Sequence, residues 1–206
     1  MRISDLSRQT GVPVPTIKFY LRERLLPPGE PTGRNQAAYG EAHLRRLRLI
    51  RAFTTIGQLD LTSVRTLLAA IENEKLPLPG LFDVVNRTQV PQEGPRPDNA
   101  SVLRSARDSV EGLIKEHGWQ VDPDAPVSTH LAQVLAALRQ LGCDCEMDFF
   151  TAYAEATEQL IVRELDLLSP EKPNRAAAAA RSVLLEVALT AIRRMALEHH
   201  VALRFG

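Results

Sequence analysis

Pro13-Val14-Pro15-Thr16-Ile17-Lys18-Phe19-Tyr20-Leu21-Arg22 is the stretch on which the fold turns. Pro13 and Pro15 fit the first turn of a helix, where a missing N–H costs little. Val14, Ile17 and Leu21 then recur at i, i+3 and i+7, so the predicted helix buries one face and runs to about Arg24. Upstream, Ser4 is a candidate cap for a short helix that stops at Thr10-Gly11. Two short helices joined through Gly11 read as a helix-turn-helix.

Downstream, Pro27-Pro28-Gly29 is expected to break the second helix. Residues 29–36 are turn formers and polar groups, and Ala37-Ala38-Tyr39 returns as a short strand, giving a hairpin that would serve as a wing. A third helix is expected from Glu41 to Ile56, its stripe being Leu44, Leu47, Ile50 and Phe53, with Arg45, Arg46, Arg48 and Arg51 facing elsewhere; Gly57 ends it. Thr62 or Ser63 opens a fourth helix through Val64, Leu67, Leu68 and Ile71. Residues 77–97 contain five prolines and read as a semi-rigid linker, with one or two helical turns at Leu81–Val85. Beyond it the pattern is helical over 99–117, 128–141, 145–168 and 174–203, with Asp144 and Asn174 as candidate caps. The expected class is mainly α: a winged helix-turn-helix over 1–75, a Pro-rich linker over 76–98, and an all-helical bundle over 99–206 that serves effector binding and dimerisation.

The 206 residues carry no net charge, but the charge is unevenly placed. Residues 1–57 hold ten Lys/Arg against four Asp/Glu; residues 76–206 hold thirteen against eighteen. A basic reader followed by an acidic partner domain points to nucleic acid. Lys18 and Arg22, at i and i+4, present both cations on one side of the second helix beside Thr16, Phe19 and Tyr20. Cations and phenol hydroxyls hold phosphates, while threonine and aromatic edges meet bases. Arg34, Asn35 and Gln36 at the hairpin tip reach toward an adjacent phosphate or the minor groove. Ser4, Pro15, Tyr39 and Arg45 complete the candidate DNA contacts.

Thr16-Ile17-Lys18-Phe19-Tyr20, Leu25-Leu26-Pro27-Pro28, Asn35 to Tyr39, and His43-Leu44-Arg45-Arg46-Leu47 together resemble the MerR family of bacterial regulators over about residues 1–71. Lys18 stands where the family usually has Arg, Phe19-Tyr20 where it has an aromatic pair that contacts the DNA backbone, and Leu21 where it usually has Glu. The resemblance implies a homodimer on double-stranded promoter DNA, working with RNA polymerase by distorting an overlong spacer. Such distortion costs ~1–6 kcal/mol by elastic estimates and is offset by added phosphate contacts. The family usually continues from the fourth helix into a long antiparallel dimerisation helix. Pro77, Pro79 and Gly80 stand against that here, so the dimer interface is expected in the C-terminal helices. The last of these spans about thirty residues, ~45 Å, and its apolar set is Val183, Leu184, Val187, Ala188, Ala191, Ile192 and Met195.

What the C-terminal domain senses is open at this level. Trp119, Phe149, Phe150, Tyr153 and His199 are candidates for an apolar small-molecule pocket, although an aromatic cluster at helical spacing more often belongs to the core. Cys143-x-Cys145 invites a metal or thiol sensor, a reading some relatives would support; two ligands fall short of a closed zinc site, and no metal or other cofactor is favoured. A ligand-independent architectural or protein-interaction module is the remaining alternative. The sequence shows no phosphate-cradling glycine loop, His-Glu-x-x-His pattern or nucleophile elbow, so no enzyme is expected. Without a signal-type or membrane-length apolar run, the expected location is cytoplasmic and no membrane partner is implied.

Overall fold

The computed structural model describes residues 1–33, 36–90, 100–143, 147–169 and 173–206. Among these the only strands form one two-stranded hairpin, and the rest of the regular structure is helical. The residues fall into two compact units, one built from Met1–Thr88 with Arg175–Gly206 and the other from Gln89–Asn174.

In the first unit, α1 (Ile3–Thr10) and α2 (Val14–Arg22) meet through Gly11 at φ 67°, the left-handed cap that glycine adopts without steric penalty. Pro13 precedes α2 and Pro15 lies in its first turn, as the spacing predicts. The α1 start differs from the expected cap: Ser4 lies inside the helix, and the Asp5 carboxylate accepts instead from the Arg2 N–H at 2.9 Å. The end of α2 differs too. The helix stops at Arg22, ahead of the prolines, because Arg24 turns left-handed (φ 57°) and the Leu25 N–H reaches back to the Tyr20 carbonyl.

Strands β1 (Glu30–Gly33) and β2 (Gln36–Ala38) pair antiparallel, with Glu30 opposite Ala38 and an irregularity between Pro31 and Gly33. A Cβ on Gly29 would sit 2.7 Å from the Ala38 carbonyl oxygen, so only glycine lets the hairpin close here. Helix α3 (Glu41–Arg51) runs into a π-helical stretch, Ala52–Ile56, and together they present Leu44, Leu47, Ile50 and Phe53 to the core. Helix α4 (Leu61–Glu72) is capped not by Thr62 or Ser63 but by Asp60, whose carboxylate accepts from both of their N–H groups at 2.7 and 2.9 Å.

The segment expected as a linker contains α5 (Leu78–Gln89), twelve residues long, with Leu81 and Val85 fully buried in the same core. Pro79 falls in its first turn, where no N–H is required, so the prolines delay this helix rather than abolish it. The C-terminal segment also divides otherwise than expected. Helix α9 (Arg175–Phe205) belongs to the first unit, where Ala179 and Val183 complete the core of the reading head.

The second unit is a helical hairpin of α6 (Ala100–Glu116) and α7 (Pro126–Gln140), joined by α8 (Met147–Asp166). Ala106, Val110 and Ile114 meet Ala132, Leu135 and Ala136, and the small residues allow a close approach. Arg139 ties the two helices by donating to the hydroxyls of Ser105 and Ser109.

Two expectations follow. Leu81→Ala removes a fully buried side chain from the reading head, so urea unfolding should show a loss of about 2–5 kcal/mol; a linker residue would show none. The Asp60 carboxyl is held below its ordinary value by the Ser63 N–H first, then the Ser63 hydroxyl and the Thr62 N–H. A depressed folded-state pKa contributes stability that is present above the unfolded value and lost as pH falls through the folded one. Asp60→Ala should therefore unfold more easily than wild type near neutrality, by about 1 kcal/mol, and the gap should narrow in acid.

Candidate nucleic-acid interface

The apolar stripe of α2 sets which side chains face water. Ile17 is fully buried, and so the opposite side of the helix, carrying Pro15, Lys18 and Arg22, is exposed. Thr16 and Phe19 are half-buried at its edge. The Arg22 guanidinium lies over the Phe19 ring, 5.3 Å from its centroid, which stiffens a long cation and leaves most of it in solvent. The Glu23 carboxylate lies 3.7 Å from both Arg22 and Arg65, too far for a strong hydrogen bond, while Arg65 donates to the Glu23 backbone carbonyl at 3.2 Å.

Lys18 lines a cleft of about 840 Å³ between the start of α1, the face of α2 and the hairpin. Arg2, Asp5, Pro31, Thr32 and Gln36 form other parts of its wall. The Asp5 carboxyl is held low first by the Arg2 N–H and further by the Arg8 guanidinium, so its charge is already engaged. Ser4 and Gln36 are exposed on the same unit. Arg34 and Asn35, expected at the hairpin tip, lie outside the described residues.

Two expected contacts are core residues. Tyr20 and Tyr39 are each only 8% exposed and pack within the main apolar cluster. What they do is hold parts together. Tyr39 exchanges two hydrogen bonds with Met1, each 2.8 Å, fixing that residue beside β2. Its ring meets His43 edge-on at 5.3 Å. His43 accepts the Gly40 N–H at Nδ1, and its Nε2 lies 3.2 Å from the Pro28 carbonyl, which sets Nε2 as the donor. One imidazole therefore caps α3 and pins the entry to the hairpin. The sequence motif contains His43, but its role depends on contacts fifteen residues away.

The arginines of α3 divide by direction. Arg46 donates to the Leu25 carbonyl and pairs with Glu72; Arg51 donates to the Thr10 carbonyl at the end of α1 and covers Gly11. Arg45 and Arg48 are exposed.

In the second unit Trp119 is half-buried, and its indole N–H donates to Glu158 at 2.7 Å. The His117 ring lies 5.0 Å from the indole, with Nδ1 3.8 Å from the same carboxylate. Trp119, Glu158, Ile161, Val162 and Arg163 line an open cleft of about 770 Å³. Phe149, Phe150 and Tyr153, in the same unit, do not line it. They form a separate ring cluster on α8, with centroids 5.4–6.1 Å apart, and His199 is exposed on α9 in the first unit beside His200. His117 and Glu158 carry no distinctive spacing and were invisible without the fold. Cys143 is exposed; Cys145, with Asp144 and Glu146, lies outside the described residues. Among the described residues no three His, Cys, Asp or Glu side chains gather as a metal site.

A helix-turn-helix, a hairpin beside it, and a cationic exposed face on the second helix define the winged class of nucleic-acid-reading domains. The comparisons with known proteins place it within that class. Residues 1–71 match the MerR HTH family regulatory proteins, so the chain carries a MerR-type HTH domain over those residues. It is 34% identical over 68 residues to the HTH-type transcriptional regulator ZntR homolog of Haemophilus influenzae, covering 33% of this chain and 50% of that one. It is 33% identical over 73 residues to the HTH-type transcriptional regulator CueR of Yersinia pestis, covering 35% and 52%. The chain thus spans about half the length of these curated relatives. A solved structure, that of SCO5550, a candidate transcriptional regulator from Streptomyces coelicolor A3(2), is similar over 100% of this chain and 98% of its own, with a TM-score of 0.72 and 32% identity.

The division of the arginines is testable by stability. Arg51→Ala leaves a carbonyl at the end of α1 without its donor and should cost about 1–3 kcal/mol in denaturant unfolding. Arg48→Ala, on the exposed side, should stay within about 0.5 kcal/mol of wild type.

Proposed function

We propose that the chain is a homodimeric transcription regulator that lays α2 in the major groove of promoter DNA and its hairpin against the flanking backbone. The observation that carries this reading is the exposed row of Pro15, Lys18 and Arg22 on a helix whose other side buries Ile17 and Tyr20. Arg45 and Arg48 extend the positive surface along α3, and Gln36 stands on the hairpin. RNA polymerase at the same promoter is the partner that the MerR-type domain suggests.

The second copy is proposed to meet the far half of α9. From Leu184 to Phe205 the helix runs ~33 Å. Over that length Val187, Ile192, Met195, Val201 and Phe205 are 37–83% exposed. With Leu184, Ala188, Ala191 and Ala202 they fall within one half of the helix, which also carries Arg194, Glu198 and His199; so many exposed apolar side chains on one helix favour a partner over water. Self-pairing of two such helices satisfies both faces at once, as an isologous contact requires.

For the second unit the reading is a small-molecule effector held in the Trp119 cleft. Because Glu158 and Arg163 stand among Ile161 and Val162, a ligand with both apolar and polar parts suits this wall better than a wholly apolar one.

Gel-shift titration on the DNA upstream of the chain's own coding sequence tests the reader. Lys18→Ala and Arg22→Ala should each weaken binding about tenfold and reduce the salt slope by about one, with melting unchanged. Unaltered affinity in both would remove the assignment of α2. Sedimentation of Ile192→Glu/Met195→Glu should give a monomer where wild type gives a dimer; a dimeric variant would remove α9 from the interface.

A further inference from the structure

Arg175 is the first residue of α9 and of the chain's return to the reading head after the intervening unit. Its guanidinium makes three bonds to backbone carbonyls: Nε to Ile71 at 3.0 Å, one terminal nitrogen to Ala70 at 2.8 Å, and the other to Leu76 at 2.6 Å. Ala70 and Ile71 belong to the last turn of α4, where carbonyls lack helical partners and a cation meets the negative end of the helix. No simple ammonium reproduces this planar fork.

Two turns further on, α9 is held a second time. Ala179 and Val183 are buried in the reading-head core, and Val183 packs against Gly57, where the π-helical stretch ends. A Cβ on Gly57 would stand 2.6 Å from Val183 Cγ1 and 2.9 Å from the Phe53 carbonyl oxygen. After Val183 the helix is partly or fully exposed for its remaining length. Arg175 and the Gly57–Val183 contact therefore fix both ends of the docked root of α9, about 12 Å apart along the axis.

We propose that Arg175 is a positioning residue for operator binding: by locking the root of α9 to α4, it sets the direction in which the paired far half leaves each reading head, and so the spacing between the two heads of the dimer. This rests on the dimeric reading given above. Arg175 touches no DNA in this scheme. It acts through a lever, since a small rotation at a root of two or three turns is multiplied along the ~33 Å beyond it.

The test compares full-length wild type, Arg175→Ala and Arg175→Lys on three kinds of duplex: the footprinted operator, a single half-site, and operators with one or two base pairs added to or removed from the centre. Sedimentation gives the oligomeric state of each protein. Wild type should prefer one spacing. Arg175→Ala should remain dimeric and bind the half-site within about twofold of wild type, yet bind the full operator about tenfold less tightly and lose most of its preference among spacings. Arg175→Lys, which keeps the charge without the fork, should fall between. A dimeric Arg175→Ala with wild-type spacing preference overturns the proposal while leaving the dimer reading intact. An equal loss on half-site and full operator also overturns it, marking Arg175 as a general stabiliser of the fold. If Arg175→Ala does not fold, the same comparison on Arg175→Lys and on Gly57→Ala, which wedges the other end of the root, decides the matter by the same outcomes. A monomeric wild-type chain overturns the dimer reading, and the proposal with it.

Discussion

Leu47 and Ile50 of α3 and Phe53 of the π-helical stretch that continues it are fully buried, and their spacing of three fixes how this run is rotated in the reading head. The rest of the unit depends on that rotation. Once this stripe faces inward, Arg46 and Arg51 are carried to the flanks, within reach of the Leu25 and Thr10 carbonyls. Thr10 is the last residue of α1, and Leu25 follows the left-handed turn at Arg24 that closes off α2. The same helix that fills the core thereby fixes the two turns that aim α2. Replacing Phe53 with alanine would cost about 3–5 kcal/mol by cavity formation alone and would loosen the arginine contacts with it.

The N-terminal reading head was legible because its signals are local. The prolines of α2, the Gly11 turn, the 3-and-4 periodicity of α3 and the basic excess each need only a few neighbouring residues to be interpreted. Where sequence reasoning missed, the deciding partner was out of its window. Thr62 and Ser63 are good capping residues, but Asp60 stands two positions earlier with a carboxylate able to accept from both of their N–H groups. Tyr20 and Tyr39 have hydroxyls suited to phosphates, yet their rings fill the core and their positions serve the architecture of the site. Proline-rich composition argued for a linker at 76–98, but the pair Leu81 and Val85 had a hydrophobic surface waiting for it. Burial at two positions outweighed punctuation.

The least legible element was α9. Along its sequence apolar residues recur on both sides of Val183, so periodicity cannot say where packing on the chain's own core stops and exposure begins. The structure draws that line at Val183, and it is drawn by two unrelated residues: Gly57, which leaves room, and Arg175, which supplies the anchor. Neither belongs to a motif. Arginine at a helix start is even unfavourable by the helix dipole, and its placement is explained only by the end of another helix lying opposite it.

Chain connectivity gives this anchor its wider meaning. The second unit is an insertion: it leaves the reading head after Thr88 and returns at Arg175. Whatever the second unit does, its covalent routes to the DNA-reading surface are α5 at one end and the root of α9 at the other. Helix α5 is held by apolar contact, which tolerates small slips because dispersion is weakly directional. The root of α9 is held by a planar fork on three fixed carbonyls, which does not. Of the two junctions, the second is therefore the one whose geometry is set by directional bonds, at residues that periodicity and composition do not single out.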